Sequence, residues 1–298
     1  MSGLYTGAMG MISHMQKLNV HSNNIANAET NGFKAQQSTF KVFQETDVMR
    51  IDSQGVKNIG GYQNQVYMDD IHTNYDTGNI LLSEAIWDVA LLDKSGGTYI
   101  SFFQMKRGDD VYLSRNGHFV RDEQGNLTNG GGSLLLGEDG VPIKVSTGLN
   151  FSVSADGTIV DVASNERVGK ISVVSVDKEH SGLLQRGTNG EYSVLTYEKI
   201  LNQFQSLEEV KRSLPENPTL QRIFGSIEMV ESIQENQEVA IIQPFTGELK
   251  QGFIETSNVN VSSEMVALLQ TQKQVNASSK TLTIAQEILE MEANKLGN

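Results

Sequence analysis

The sequence predicts an α+β protein. Long N- and C-terminal helices pair as a coiled coil, and a mainly-β central domain with a small helical insertion lies between them. Three observations carry this reading. Val261, Leu268, Val275, Leu282, Leu289 and Leu296 recur every seventh residue in a stretch without Gly or Pro, and Leu4, Met11, Leu18 and Ile25 repeat that period at the other end. A seven-residue apolar repeat marks a helix seam that must face another helix. From about Ile86 to Thr196, short β-branched and aromatic runs alternate with turn dipeptides, and from Glu198 to Ala240 helical spacing returns.

The N-terminal helical segment covers 1–35. Ala8, Met15 and Ser22 fill the alternate positions of its 4-3 seam. The helix is weak alone: Gly3, Gly7 and Gly10 each cost roughly 1 kcal/mol against Ala where interior. Asn19, Asn23, Asn24 and Asn27 compete for backbone bonds. Small residues and amides suit tight packing against other helices, and Asn31-Gly32 ends the run, since both tolerate the left-handed conformation. Residues 36–80 read as an extended connector with short strands, punctuated by Gly55, Gly60, Gly61 and Gly78.

The central β domain, 81–197, holds strand candidates Thr98–Met105, Val111–Ser114, His118–Arg121, Ser133–Leu136, Gly169–Val176 and Glu191–Thr196. Gly96-Gly97, Asn116-Gly117, Asp139-Gly140, Asp156-Gly157 and Asn189-Gly190 separate them, the spacing of a sandwich or an irregular barrel. The acidic insertion, 198–240, sets eight Glu against four Lys or Arg. Ile200, Phe204, Leu207 and Val210 have helical spacing, Pro215 and Pro218 break it, and Ile223, Ile227 and Val230 resume it. A return strand and connector, 241–260, leads to the C-terminal helix, 261–298. That helix is capped by Ser262 or Ser263, with Glu264 in its first turn, where negative charge suits the macrodipole. At ~1.5 Å per residue it is about 54 Å long, too long for a compact core. Its other seam positions are poor: Met265 is apolar and Ala293 small, but Gln272, Ser279 and Gln286 are polar. Such a helix needs neighbours, in other copies of itself or, as a long amphipathic helix, on its own domain.

Composition narrows the function. The 298 residues carry a net charge of −13, which argues against nucleic acid and anionic membrane as partners. There is no cysteine, which removes disulfides, Cys-containing metal sites and thiol catalysis. No segment reaches ~18 apolar residues, so no membrane insertion is expected. The first basic residue is Lys17, so the N-terminus does not read as a secretory signal peptide. The chain is expected in the cytoplasm, or outside by a route that needs no such signal.

No catalytic, cofactor or metal constellation stands out. His14 and His21 share a helix face but lie about 10 Å apart along it, too far for one zinc ion within one chain; they read as polar seam residues. Gly130-Gly131-Gly132 precedes Ser133 and lacks the Lys of a phosphate loop. Asp69-Asp70 and Asp109-Asp110 read as solvated turn residues, and Trp87 as a core anchor.

Three stretches carry a resemblance. Ser22-Asn23-Asn24-Ile25-Ala26-Asn27-Ala28-Glu29-Thr30-Asn31-Gly32-Phe33-Lys34 resembles the N-terminal signature of bacterial flagellar rod and hook proteins. Gly252-Phe253-Ile254-Glu255-Thr256-Ser257-Asn258-Val259-Asn260-Val261, with Glu264-Met265 and Gln270-Thr271-Gln272-Lys273, is similar to their C-terminal signature. Ser114-Arg115-Asn116-Gly117-His118-Phe119, with Asp122, Gly125-Asn126-Leu127, Gly137 and Ser154-Ala155-Asp156-Gly157-Thr158, resembles their shared β domain. Two departures stand out: Asp88-Val89-Ala90-Leu91 runs into Leu92-Asp93-Lys94-Ser95-Gly96-Gly97 instead of a Gly-x-Gly-Phe turn, and the 198–240 insertion is long.

The resemblance implies a structural subunit of the flagellar basal-body rod, of the proximal or distal type, that polymerises through its terminal helices and transmits torque from motor to hook. It implies export through the flagellar type III apparatus to an extracytoplasmic rod. Its partners would be copies of itself and other rod and hook subunits, and it would need no cofactor or metal. The residues expected to matter are the ten seam positions together with Asn23, Asn24, Ile25, Ala26, Asn27, Gly32, Phe33, Ser257, Asn258, Val259 and Asn260. A hook or junction-type axial role is the alternative. A secreted β-rich adhesin with a coiled-coil stalk is another, and Tyr99, Phe102 and Phe103 would line its groove.

Overall fold

A computed structural model describes residues 2–42, 45–52, 55–63, 66–94, 97–145, 151–187, 190–204, 206–236, 239 and 241–296. Side chains are described for these except 2–3, 45–48, 50–52, 62–63, 218 and 292–296. Gly96, Asn189 and the Leu296 side chain therefore lie outside the described set. The chain is α+β and divides into two units. Unit 1 comprises 1–28, 35–74 and 259–298; unit 2 comprises 29–34 and 75–258.

Unit 1 contains helix α1 (Ser2–Ala26), strands β1 (Gln36–Val42), β2 (Glu45–Asp52), β3 (Gly55–Gln63) and β4 (Val66–Thr73), and a C-terminal helix Val261–Leu296. β1 pairs antiparallel with β4, and β2 with β3. The strands in the connector region are 7–9 residues long, longer than the short strands its glycines suggest. Asp69 and Asp70 lie within β4 rather than in a turn, and Lys41 on β1 reaches Asp69 at 3.0 Å.

In unit 2, β5 (Ile80–Leu82), β6 (Val89–Leu92), β7 (Tyr99–Arg107), β8 (Asp110–Ser114), β9 (Val120–Arg121), β10 (Leu127–Thr128) and β11 (Leu134–Leu135) come first. Then follow β12 (Phe151–Val153), β13 (Thr158–Asp161), β14 (Arg167–Lys170), β15 (Val173–Asp177), a 3-10 turn (Lys178–Leu183), β16 (Leu184–Arg186) and β17 (Glu191–Val194). Four helices come next: α2 (Tyr197–Phe204), α3 (Leu207–Ser213), α4 (Pro218–Phe224) and α5 (Ile227–Asn236). β18 (Ile242–Pro244), β19 (Glu248–Gln251) and β20 (Phe253–Glu255) complete the unit; the C-terminal helix of unit 1 is α6.

β7 is the centre of the main sheet, pairing with β8, β11 and β15. Alternate side chains of a strand point to opposite faces, and both faces of β7 are buried. Ile100 and Phe102 enter one core with Val174 and Val176 of β15; Phe103 and Met105 enter a second with Leu135, Phe119 and Ile159. The first core is closed by Ile200, Leu207, Val210, Leu214, Leu220, Phe224, Val230 and Ile233 of the acidic insertion. The insertion is therefore a lid on the sheet, and the arrangement is a sheet with two cores rather than a plain sandwich or barrel. Pro218 does not break a helix. It opens α4 at N1, with the Asn217 side chain accepting from Thr219 and Leu220 amides, because Pro lacks only a donor that is unpaired there anyway.

Two strand readings change. Gly169–Val176 is split between β14, which pairs with β13, and β15, which pairs with β7. Asn116-Gly117 is not a hairpin turn, since β8 pairs with β7 and β17 while β9 pairs with β10. Gly117 is required instead by a close approach: its carbonyl accepts the Val89 amide at 3.0 Å, and a Cβ would overlap the Val89 carbonyl oxygen. Trp87 is partly buried and stacks on Phe151 at 4.1 Å.

Candidate functional site

Polar and apolar chemistry concentrates in two places, one in each unit. In unit 1, α1 and α6 pack antiparallel. A Cβ built on Gly7 would lie 3.2 Å from Leu282 Cδ2, one on Gly10 would lie 3.8 Å from Ser278 Oγ, and His21 Nδ1 sits 2.6 Å from Glu264 Oε2. The glycines that weaken the isolated helix thus let the two backbones approach.

Apart from Ala267, the half-buried positions of α6 are Glu264, Leu268, Val275, Ser278, Leu282, Ala285 and Leu289, and Thr271 between them is fully buried. They keep the 4-3 spacing, but the alternate positions fall three residues after each apolar one, not four. Met265 and Met15 are exposed, and small or short side chains occupy the contacts. On α1, Leu4, Gly7, Met11, His14, Leu18, His21 and Ile25 are half-buried. Val261 is 40% exposed, because its turn precedes the first cross-helix contact at Glu264. Apolar side chains remain exposed on the flanks: Tyr5 and Ile12 on α1, and Val266, Leu269, Ile284, Ile288 and Met291 on α6.

The Asn-rich motif has a direct explanation. Asn24 is fully buried, donates from Nδ2 to the Gln36 carbonyl at 2.8 Å and accepts the Gln36 amide at 2.9 Å. It thereby ties α1 to β1 through both backbone groups of one residue. Asn27 donates to the Asn23 carbonyl at 2.8 Å and closes the helix end; Asn23 and Ala26 are themselves exposed. At the other terminus the cap is Asn260, whose side chain accepts the Ser263 amide at 3.0 Å, not Ser262 or Ser263. Asn24→Leu is expected to leave Gln36 N–H and C=O unpaired, at about 1–3 kcal/mol for each buried group. Hydrogen exchange of the Gln36 amide should accelerate at least 30-fold, about 2 kcal/mol; unchanged protection would refute this role.

In unit 2, four charged side chains from distant segments meet out of water. Lys34 Nζ donates to Glu255 Oε1 at 2.6 Å and to the Asp76 carbonyl at 2.8 Å. Arg115 Nε donates to Glu255 Oε2 at 2.9 Å, and Nη1 donates to Asp93 Oδ2 at 2.7 Å and the Ser101 carbonyl at 2.8 Å. The Gly78 amide donates to Glu255 Oε1 at 2.8 Å. Side chains of Lys34, Arg115 and Glu255 are 0–1% exposed. Two cations face two anions, which is what an interior requires of buried charge. Burial alone would raise the Glu255 carboxyl; the Arg115 and Lys34 cations outweigh it and hold it below its ordinary 4.5. Burial, then Arg115, push the Lys34 ammonium down.

A carboxyl with a lowered folded pKa contributes stability above its unfolded pKa, and loses it as pH falls through the folded one. Unit 2 stability is therefore expected to hold down to about pH 5 and decline below it, with Glu255→Gln removing part of that acid limb. Trp87 is the only tryptophan, so its fluorescence during denaturation at each pH reads unit 2 directly.

Two further polar groups are structural. Ser83 and His118 bond to different oxygens of Asp88. The Asp88 carboxylate thus stands between the Ser83 hydroxyl, which donates to it, and the His118 imidazole. Glu191, also buried, is held by Arg107 at 2.6 Å, Asn129 at 2.8 Å and Ser133 at 2.5 Å. Burial pushes the Tyr192 phenol up to about 12, and its ring packs 5.5 Å from Phe102. Phe102 and Phe103 lie on opposite faces of β7 in separate cores, so they line no groove; Tyr99 alone of the three is exposed.

The motif residues fall around these sites. Gly32 and Phe33 are buried beside Lys34, and Ser257, Asn258 and Val259 are half-buried. Asn258 donates its amide to the Phe33 carbonyl at 3.3 Å and its side chain to the Asp76 carbonyl at 2.9 Å. Sequence reasoning passed over Lys34, Arg115 and Glu255 as members of a site, although each stands inside one of the three signatures. The available signal is clearest at Glu255, the one charge in Gly252–Val261.

Helical ends that pair with each other, and charges neutralised between segments of the chain, are features that hold a fold together. The comparisons with known proteins place the chain further. Residues 4–34 match the family described as Flagella basal body rod protein, 100–161 the Flagellar hook protein FlgE/F/G D1 domain, and 250–296 Flagellar basal body rod FlgEFG protein C-terminal. The chain is 30% identical over 301 residues to the flagellar basal-body rod protein FlgG of Bacillus subtilis, covering 96% of each. It is 26% identical to FlgG of Buchnera aphidicola from Acyrthosiphon pisum, again over 96% of each. It is also 26% identical to the flagellar hook-basal body complex protein FlhO of Bacillus subtilis, over 100% of this chain and 99% of that one. The chain belongs to the flagellar basal-body rod protein family.

Proposed function

We propose that this chain is a structural subunit of the bacterial flagellar basal-body rod that polymerises through its terminal helices and transmits torque from motor to hook. The observation that carries the assembly step is the state of the helix pair. α1 and α6 bury one seam against each other, yet Tyr5, Ile12, Leu269, Ile284, Ile288 and Met291 stay exposed on its flanks. An apolar flank of this kind is stabilised when covered by further helices, at ~1.5–3 kcal/mol per large side chain fully buried. In this reading the pair is a coiled coil with a 4-3 seam. Leu4, Met11, Leu18, Ile25, Leu268, Val275, Leu282, Leu289 and Leu296 are its apolar positions, and Val261 stands at the start of the helix. The segments 1–35 and 261–298 do the assembling, 36–80 and 241–260 connect, and the β domain 81–197 with its helical lid 198–240 is the folded body.

The partners in this reading are copies of the chain and other rod and hook subunits. The route out is the flagellar type III export apparatus, and the place is an extracytoplasmic rod; no enzymatic step is part of the function. A hook or junction-type axial role is the alternative, and the end-to-end similarity to the flagellar hook-basal body complex protein FlhO supports a place elsewhere in that complex. Mass spectrometry of purified hook-basal bodies tests both. A copy number on the order of known rod subunits is expected; absence from intact basal bodies, with the protein abundant in the medium, would overturn the rod reading.

A further inference from the structure

Lys34 follows the N-terminal motif in sequence, yet its ammonium is an interior part of unit 2. Without it, Arg115 alone would face both Glu255 and Asp93, and Glu255 Oε1 would keep only the Gly78 amide. The turn that delivers Lys34 has a shaped seat. Gly32 adopts φ +68, donates its amide to the Glu255 carbonyl at 2.8 Å, and would place a Cβ 2.5 Å from the Arg115 carbonyl carbon. Phe33 is buried with the Arg186 guanidinium 4.1 Å from its ring centroid, and Arg186 Nη1 donates to the Lys34 carbonyl at 3.3 Å. The seat is thus specific for a bare glycine, an aromatic ring and a cation in that order. Every residue that forms it comes from positions 76–258, whereas the occupant is three consecutive residues near the N-terminus.

We propose that Gly32–Phe33–Lys34 is a charge lock on unit 2: seating this turn stabilises closure of the unit, and the turn and the core open together. It follows that holding residues 29–34 in an extended form weakens unit 2 by as much as removing the Lys34 charge does. The lock belongs to folding of the chain itself and stands whether or not the chain enters a rod.

The test uses the full chain with Trp87 fluorescence as the readout of unit 2. Lys34→Met is expected to lower the thermal midpoint by about 10 °C. The double variant Lys34→Met with Glu255→Gln leaves Arg115 against Asp93 and should recover at least half of that loss. Gly32→Val keeps every charge but blocks the seat, and should fall as far as Lys34→Met, with no further loss when the two are combined. A Lys34→Met midpoint within ~2 °C of the parent chain, or strictly additive losses for Lys34 and Glu255, would overturn the lock. Should the variants not fold, native-state hydrogen exchange of the unaltered chain decides: the Gly32 amide should open with the same free energy as the Phe102 and Phe103 amides. Fast exchange at Gly32 beside a protected β7 would overturn the proposal.

Discussion

Arg115→Met is expected to cost unit 2 about 3–5 kcal/mol, the range for removing one partner of a buried ion pair. The thermal midpoint followed by Trp87 should fall by about 10–15 °C, since ~1 kcal/mol moves a unit of this size by ~2–4 °C. The guanidinium is wholly buried and serves Glu255, Asp93 and the Ser101 carbonyl at once. Methionine fills its volume but leaves two carboxylates facing the single Lys34 ammonium. The Coulombic gain of the intact set is offset by its desolvation, so the loss comes from the orphaned anions rather than from an unusually strong bond. Arg115→Lys should recover little, because one ammonium cannot span two carboxylates and a carbonyl as a planar fork does. A midpoint within 3 °C of the parent chain would show that water or a rearranged Lys34 neutralises the site.

Leu282→Asp is the second large effect, and it falls on unit 1. Leu282 packs against the space left by Gly7, with 3.2 Å between its Cδ2 and a notional Cβ there. A carboxylate at this point has no cation among the seam residues beside it, Ser278 and Ala285 on α6 and Leu4 and Gly7 on α1. The lost burial is worth ~1.5–3 kcal/mol and the unpaired charge adds to it. Incorporation into basal bodies should be abolished, while the Trp87 transition stays within about 2 °C of the parent because unit 2 is untouched. Normal incorporation of the variant would remove the seam from the assembly proposal. Gly7→Leu is the matching change on α1, overfilling the same contact.

Much of this protein is legible in its residues. The seven-residue repeats mark both terminal helices, α6 over the predicted Val261–Leu296 and α1 ending at Ala26, ahead of the predicted stop at Asn31-Gly32. The amphipathic spacing gave helices in the insertion, and the family signatures gave the class. The alternate seam positions of α6 fall three residues after each apolar one where a four-residue step is expected; Ser278 and Ala285 there are small, as is Gly7 on α1, because the distance between two backbones selects for smallness. Asn116-Gly117 reads as a turn for a related reason: a glycine needed for a close approach to Val89 looks the same in sequence as one needed for a turn.

What the sequence determined by itself is whatever depends on neighbours along the chain. This covers helix period, the cysteine-free and acidic composition, the turns at Asp139-Gly140 and Asp156-Gly157, and the pairing capacity of the two ends. What only the tertiary structure decided is whatever depends on residues brought together from afar. Glu255 at one end of unit 2 acquires Lys34 and Arg115 as counter-ions from 221 and 140 positions away. Asn24 becomes a brace because Gln36 is folded back onto it, and the acidic insertion becomes a lid because β7 exposes a second apolar face. The physical reason is that a charge or an amide carries no mark of its partner in sequence. Its cost in the interior, and therefore its role, is fixed only when the fold removes water from it.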